Sequence, residues 1–187
     1  MKRSIILWLV AFLITILTAY YQRVSGPTYP INGKITVGSE EVKYKLLRSF
    51  GGKENAVISI AIQDTSIRGF LKYKRFKSFD DYTIIPMENL NGKLTAALPH
   101  QPPAGKIEYQ IKLAKGSTSY YVPENNFCII RFKGDVPWFV LIPHIIVMFG
   151  AMLLSTRTGL AIFNPRDNLK KLVFWTVGFL IAGGMIL

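Results

Sequence analysis

The stretch FLKYKRFKSF, Phe70 to Phe79, holds four cations (Lys72, Lys74, Arg75, Lys77) and four aromatic rings in ten residues. Cations interleaved with rings make a surface that takes anions: the charges attract and the ring faces stack, as in single-strand nucleic-acid grooves. A second chemistry-bearing pair is His144 and Met148, at i and i+4 in an uncharged run. Imidazole and thioether both ligate haem iron. Two residues one turn apart on one helix cannot fill opposite axial positions, so a second ligand would come from another chain. An ionisable residue inside hydrocarbon is a functional candidate by default. Its plainer role is a neutral imidazole donating to a backbone carbonyl near Pro143 or to a polar group on a partner helix.

The remaining reactive residues exclude more than they offer. Cys128 is the single cysteine, so an intrachain disulfide and a thiolate metal cluster are both excluded. Its neighbours are apolar, which marks a buried inert thiol. With only His100 and His144, a multi-histidine metal site is excluded as well. His100 lies in a turn with no acid near it and reads as a surface residue. The acidic pairs Glu40-Glu41 and Asp80-Asp81 are adjacent in sequence and point apart. General acid/base work needs two carboxylates facing one cleft, with environments that split their pKa values. No nucleophile elbow, zinc-protease helix, phosphate-cradling glycine loop or C-x-x-C occurs. The expectation is a protein that is not an enzyme and uses no cofactor or metal.

The elements that must position these residues fall into three parts. From Ile5 to Tyr21 no charge appears, and 17 residues at about 1.5 Å each give roughly 26 Å, near the hydrocarbon thickness of about 30 Å. Lys2 and Arg3 precede this run, and Tyr20 and Tyr21 follow as interfacial aromatics. A cleaved signal peptide is the rival reading. The run is long for one, and Thr18-Ala19-Tyr20-Tyr21 is a poor cleavage site, so residues 1–22 read as an uncleaved anchor. WFVLIPHIIVMFGAMLLS and LVFWTVGFLIAGGMIL are two further uncharged runs, placing spans at 137–156 and 172–187. The last has no polar flank; it either stops at the far interface or belongs to a longer chain, and the second reading is preferred. Small residues Gly150, Gly178 and Ala182 sit where helices could approach closely. Between these spans, residues 157–171 carry Arg157, Arg166, Lys170 and Lys171 against Asp167 alone. A short cationic loop of this kind stays in the cytoplasm. The N-terminus is then inside, the middle domain outside, and the loop inside.

Residues 23–136 change to period two. KIEYQIKL, Lys106 to Leu113, alternates Ile107, Tyr109, Ile111 and Leu113 with Lys106, Glu108, Gln110 and Lys112. EVKYKLL and KLTAAL repeat the pattern, VISIAI reads as a strand covered on both faces, and FCIIRF as a last strand. Turn residues recur, among them Asn91-Gly92 and Lys115-Gly116-Ser117. Seven to nine short strands at this spacing predict an antiparallel, helix-poor sandwich.

The run LPHQPPAGKIEYQIKL, Leu98 to Leu113, resembles the late strands of fibronectin-type-III and immunoglobulin-like domains, where a Pro/Gly turn leads into a strand with a tyrosine near its start. The resemblance implies that Tyr109 stands at a tyrosine corner. The whole layout resembles a group of uncharacterised bacterial inner-membrane proteins with one anchor, an exported β-domain and a C-terminal helical portion; no activity is implied. The fold class expected is therefore a mainly β exported domain, an antiparallel immunoglobulin-like sandwich, plus three transmembrane α-helices in the bacterial inner membrane.

Topology then decides what the basic stretch meets. The middle segment carries 17 of the 23 Lys and Arg and 10 of the 11 Asp and Glu, which leaves it at +7. On the exported side chromosomal nucleic acid is absent, and nucleic acid is excluded as a partner. Lipid headgroups, acidic glycans or an acidic protein could meet Lys72, Lys74, Arg75 and Lys77, although alternation alone already explains lysines on a solvated strand face. The functional expectation is an accessory or interaction subunit of a cell-envelope complex. Its partners are membrane lipid and a protein partner, or a second copy, through the transmembrane helices. The alternative is a component of a transport or electron-transfer assembly using His144.

Overall fold

The computed structural model describes residues 2–186 and divides into two compact units: a β-unit, Gly26–Asp135, and a helical unit formed by the residues up to Ser25 together with those from Val136 onward. The β-unit has eleven described strands: β1 (Ile31–Val37), β2 (Glu40–Leu46), β3 (Ser49–Phe50), β4 (Ala56–Ala61), β5 (Arg68–Arg75), β6 (Thr83–Pro86), β7 (Glu88–Leu90), β8 (Lys93–Leu98), β9 (Lys106–Lys115), β10 (Thr118–Val122) and β11 (Cys128–Phe132). They form a β1-β2 hairpin, a β4-β8-β7 sheet, and a larger sheet ordered β3-β11-β9-β5-β6 with β10 also on β9. All pairs are antiparallel except β3 with β11.

Strand β9 organises the unit. One edge pairs with β5 along Ile107 to Ala114. The other pairs with β11 over its first half and with β10 over its second. The period-two sequence explains why it can sit there: Ile107, Tyr109, Ile111 and Leu113 are at most 1% exposed, while Glu108, Gln110 and Lys112 face the other way, half-buried. Val37, Val42 and Leu46 from the hairpin, and Ile58, Ile60, Leu94 and Leu98 from the β4-β8-β7 sheet, join the same core. Each sheet buries one face in common, a sandwich-like arrangement. Asn91 (φ 53) and Gly92 (φ 76) form the two-residue turn between β7 and β8. Positive φ at both positions gives the twist of a type I′ hairpin, and Asn-Gly adopts it at the least steric cost.

Two expectations change here. Strand β4 is covered on one face only: Ala56, Ile58 and Ile60 are buried, while Val57 is 56% exposed and Ser59 and Ala61 also face out. The small and polar outward residues, Ser59 above all, carry that information, which the β-branched run masks. Tyr109 does not bond back a few residues, as a tyrosine corner does. Its hydroxyl donates to the carbonyl of Leu47, 62 residues upstream, at 2.9 Å, and the Cys128 thiol approaches the same oxygen at 3.6 Å. Burial pushes both the phenol and the thiol pKa up, so each stays a neutral donor.

The helical unit comprises α1 (Lys2–Ser25), α2 (Trp138–Gly159) continued by a 3₁₀ turn (Leu160–Phe163), and α3 (Leu169–Ile181) continued by a π-helical turn (Ala182–Ile186). α1 and α2 with its extension are each long and apolar enough to cross a membrane. The expected third span is shorter than the sequence suggests. Thirteen α-helical residues rise only about 20 Å against hydrocarbon of about 30 Å, and the glycine-containing end is wound as a π turn. The basic segment is also redrawn, since Arg157 belongs to the last turn of α2 and Lys170 and Lys171 to the first turn of α3.

Truncating the β9 row tests this account. Leu113→Ala is expected to cost about 2–5 kcal/mol of β-unit stability, and Tyr109→Phe about 1–2 kcal/mol, because Leu47 loses its oxygen–hydrogen donor. Denaturant unfolding of the full chain in neutral detergent measures both.

Candidate functional site

Strand β5 points Leu71 into the core and Phe70, Lys72 and Lys74 to the outer face of the large sheet. Pairing with β9 sets Lys74 opposite Glu108 and Lys72 opposite Gln110. Lys74 Nζ lies 3.7 Å from Glu108 Oε1, which also accepts the Tyr82 hydroxyl at 2.8 Å. The ammonium groups of Lys72 and Lys74 stand 4.4 and 4.8 Å from the centre of the Tyr82 ring. Phe127 stacks on that ring at 4.9 Å and 19°. Each cation–ring contact contributes about 0.5–1 kcal/mol in such a half-exposed setting. Desolvation, with Glu108 accepting a hydrogen bond from the hydroxyl, pushes the Tyr82 phenol up to about 12.

The other two cations lie apart from this cluster. Arg75 forks onto Asp80 with contacts of 2.6 and 3.0 Å, and the guanidinium holds the Asp80 carboxyl at about 2. Lys77 occupies a left-handed turn position (φ 58), its ammonium 5.6 Å from the Phe76 ring. The structure therefore brings Lys72 and Lys74 together and gives Arg75 and Lys77 local partners. Tyr82, Glu108 and Phe127 complete the cluster. Alternation in KIEYQIKL already put Glu108 on the outer face; its pairing with β5, 34 residues away in register, has no local signal. Nearby, Lys115 pairs with Asp64 at 2.7 Å and holds that carboxyl well below the usual range. His100 is not a free surface residue: Nε2 lies 3.1 Å from the Gly52 carbonyl, and the ring meets Phe132 edge to face.

In the helical unit, His144 is half-buried and its Nδ1 is buried with no hydrogen-bond partner among the described residues. The expected bond to a carbonyl near Pro143 is not made at that nitrogen. Met148 packs instead over Gly183, where an added Cβ would stand 2.8 Å from the Met148 sulfur. Phe179 lies over Gly150 in the same way, at 2.6 Å from a built Cβ, and Thr158 and Thr176 hydroxyls meet at 3.4 Å between α2 and α3. Gly178 has nothing within 4 Å of a built Cβ, so the close approach expected of it falls to Gly183; Ala182 begins the π turn. The least expected feature is Arg157, which the basic-loop reading left solvated. It is 1% exposed. It pairs with Asp167, which Asn164 also holds at 2.9 Å; it donates to the Ser4 hydroxyl at 3.4 Å and stacks over Trp8 at 5.5 Å. No group of three or more His, Cys, Asp or Glu side chains close enough to hold a metal occurs among the described residues.

No protein-family model matches the chain, and a search of curated proteins finds no match.

Two measurements test these assignments. The folded Asp80 carboxyl titrates below the unfolded aspartate value of about 3.9, so its contribution is present above pH ~4 and is lost as pH falls through about 2. Carboxyl-detected titration should show that midpoint near 2 and its return toward about 4 in Arg75→Gln. Removing the partner of Arg157 leaves a buried charge unpaired. Asp167→Ala should therefore cost about 3–5 kcal/mol, and Arg157→Leu with Asp167→Leu should recover much of it, read as detergent-resistant folded fraction on heating.

Proposed function

We propose that the chain is a non-enzymatic integral membrane protein that carries its β-unit, an immunoglobulin-like sandwich, on the exported side of a bacterial inner membrane. There it serves as an accessory or interaction subunit of a cell-envelope complex. The observation that carries this reading is the exposure of apolar helix surface. Ile5, Leu9, Phe12 and Leu17 on α1 and Trp138, Phe139 and Ile146 on α2 are each more than half exposed. Side chains of that kind over whole helices need lipid or protein around them. Charge favours the direction: Lys2 and Arg3 stand in the first turn of α1, and Arg166, Lys170 and Lys171 stand at the start of α3 and just before it. On this reading α3 and its π turn complete a third span within an assembly, where neighbouring helices satisfy irregular backbone.

A second reading rests on His144. A buried imidazole nitrogen without a partner is where a proton or a ligand from another subunit could be received, and a π turn packs against the adjacent Met148. This makes a component of a transport or electron-transfer assembly the alternative.

Compartment reporters fused after Ser117 and after Arg166 should report the exported and cytoplasmic sides respectively; the reverse pattern defeats the proposed topology. Gentle solubilisation and affinity capture should recover a stoichiometric protein partner or a homo-oligomer, whereas a clean monomer argues against the subunit role. His144→Leu should leave the activity of the captured assembly unchanged on the first reading and abolish it on the second.

A further inference from the structure

The outer face of the large sheet contains a hollow of about 130 Å³ beside the Tyr82 cluster, lined by Phe70, Lys72, Ile84, Gln110, Lys112 and Tyr121. Strand register builds it. Phe70, Lys112 and Tyr121 lie across β5, β9 and β10 in one row; Ile84, Lys72 and Gln110 lie across β6, β5 and β9 in the next. Four lysines of the described chain are half-buried: Lys72, Lys74, Lys112 and Lys115. Lys74 and Lys115 each have a carboxylate, Glu108 and Asp64. Lys72 and Lys112 have no carboxylate within 4.0 Å among the described residues, and both line the hollow. Glu108, the acid on the outward row of β9, is already engaged by Lys74 and Tyr82. Gln110 is fixed as well: its amide nitrogen donates to the Pro123 carbonyl at 2.8 Å. The remaining walls, Phe70, Ile84 and Tyr121, are two flat rings and one branched apolar group.

Partial burial weakens the hydration of both ammonium groups. Lys72 meets only the faces of the Tyr82 and Phe127 rings, at 4.4 and 5.6 Å, which attract it weakly and carry no net charge. A bound anion would supply the missing counter-charge through charge-assisted hydrogen bonds. The volume is close to the roughly 150 Å³ that takes a benzene ring, so it admits about one ring and its substituent rather than a polymer. We propose that this hollow binds a small organic anion in which a carboxylate or phosphate group is joined to a flat apolar body. The anionic oxygens would lie between Lys72 and Lys112, and the body between Phe70 and Tyr121. The site lies wholly within the β-unit, so it goes beyond the accessory-subunit reading and does not depend on it.

The test titrates benzoate, phenyl phosphate and inorganic phosphate into the full chain in neutral detergent, followed by amide resonances of β5 and β9 and by calorimetry. Saturable binding of benzoate or phenyl phosphate is expected, and the tighter of the two identifies the anionic group. Lys72→Gln and Lys112→Gln should each weaken it about tenfold, Lys112→Arg should restore it, and Lys106→Gln, on an exposed lysine, should leave it unchanged. Tyr121→Ala should erase the preference over inorganic phosphate. The proposal is overturned if neither organic anion saturates, if inorganic phosphate binds as tightly as both, or if a folded Lys72→Gln/Lys112→Gln protein binds like the parent.

Discussion

The β-unit depends on one strand having neighbours on both edges. β9 pairs with β5 on one side and with two successive strands, β11 and β10, on the other. The changeover falls at Gln110, the one position between the two ladders. There the side-chain amide reaches the Pro123 carbonyl, so a side chain continues across the gap where backbone pairing stops. Because both edges of β9 are occupied, its inward row can be wholly apolar and its outward row can hold charges in fixed positions. The inward row that enters the core and Glu108, which anchors the Lys–Tyr–Glu cluster on the other face, come from the same ten residues.

The helical unit answers a different constraint. On the proposed membrane reading it faces hydrocarbon, which offers no hydrogen bonds, so polar groups there must find partners within the protein. Thr156, Thr158 and Thr176 do so by donating to carbonyls one turn back. Arg157 does so through one nitrogen only, Nη2, which meets Asp167 and Ser4, with the guanidinium over the Trp8 ring and its buried Nε and Nη1 without a partner among the described residues. These contacts draw the first turns of α1, the last turn of α2 and the segment before α3 to one point. A cation that looks like a loop charge in sequence is here buried and in contact with three segments of the unit. Its burial changes the charge arithmetic of that end without reversing its sign, since Arg166, Lys170 and Lys171 remain outside the pair.

What the sequence made legible was periodicity, and what it concealed was pairing. Period two in KIEYQIKL placed the β9 side chains from Lys106 to Leu113 on their faces, and Asn91-Gly92 marked its hairpin, because both signals are local. Leu47 as the acceptor for Tyr109, Asp167 as the partner of Arg157, and the approach of Tyr82 and Phe127 to β5 are products of tertiary register. The candidate site shifted for the same reason: the dense run Phe70 to Phe79 drew attention to Arg75 and Lys77, which are satisfied by neighbours five residues away or fewer. Lys112, isolated in sequence, emerges only when β9 is laid beside β5. Gly178 and Gly183 differ likewise, since spacing cannot tell which small residue faces a neighbour.

The helical unit is assembled from two pieces of chain separated by the whole β-unit, and this orders events at the ribosome. Ser4 and Arg157 are 153 residues apart. At about 5–20 residues per second, α1 emerges some 8–30 s before the arginine that will hold its first turn. During that interval its exposed face, Trp8 included, is open to whatever surrounds it. On the proposed membrane reading, the insertion machinery or a neighbouring helix would have to shelter an apolar helix whose final companion has yet to be translated.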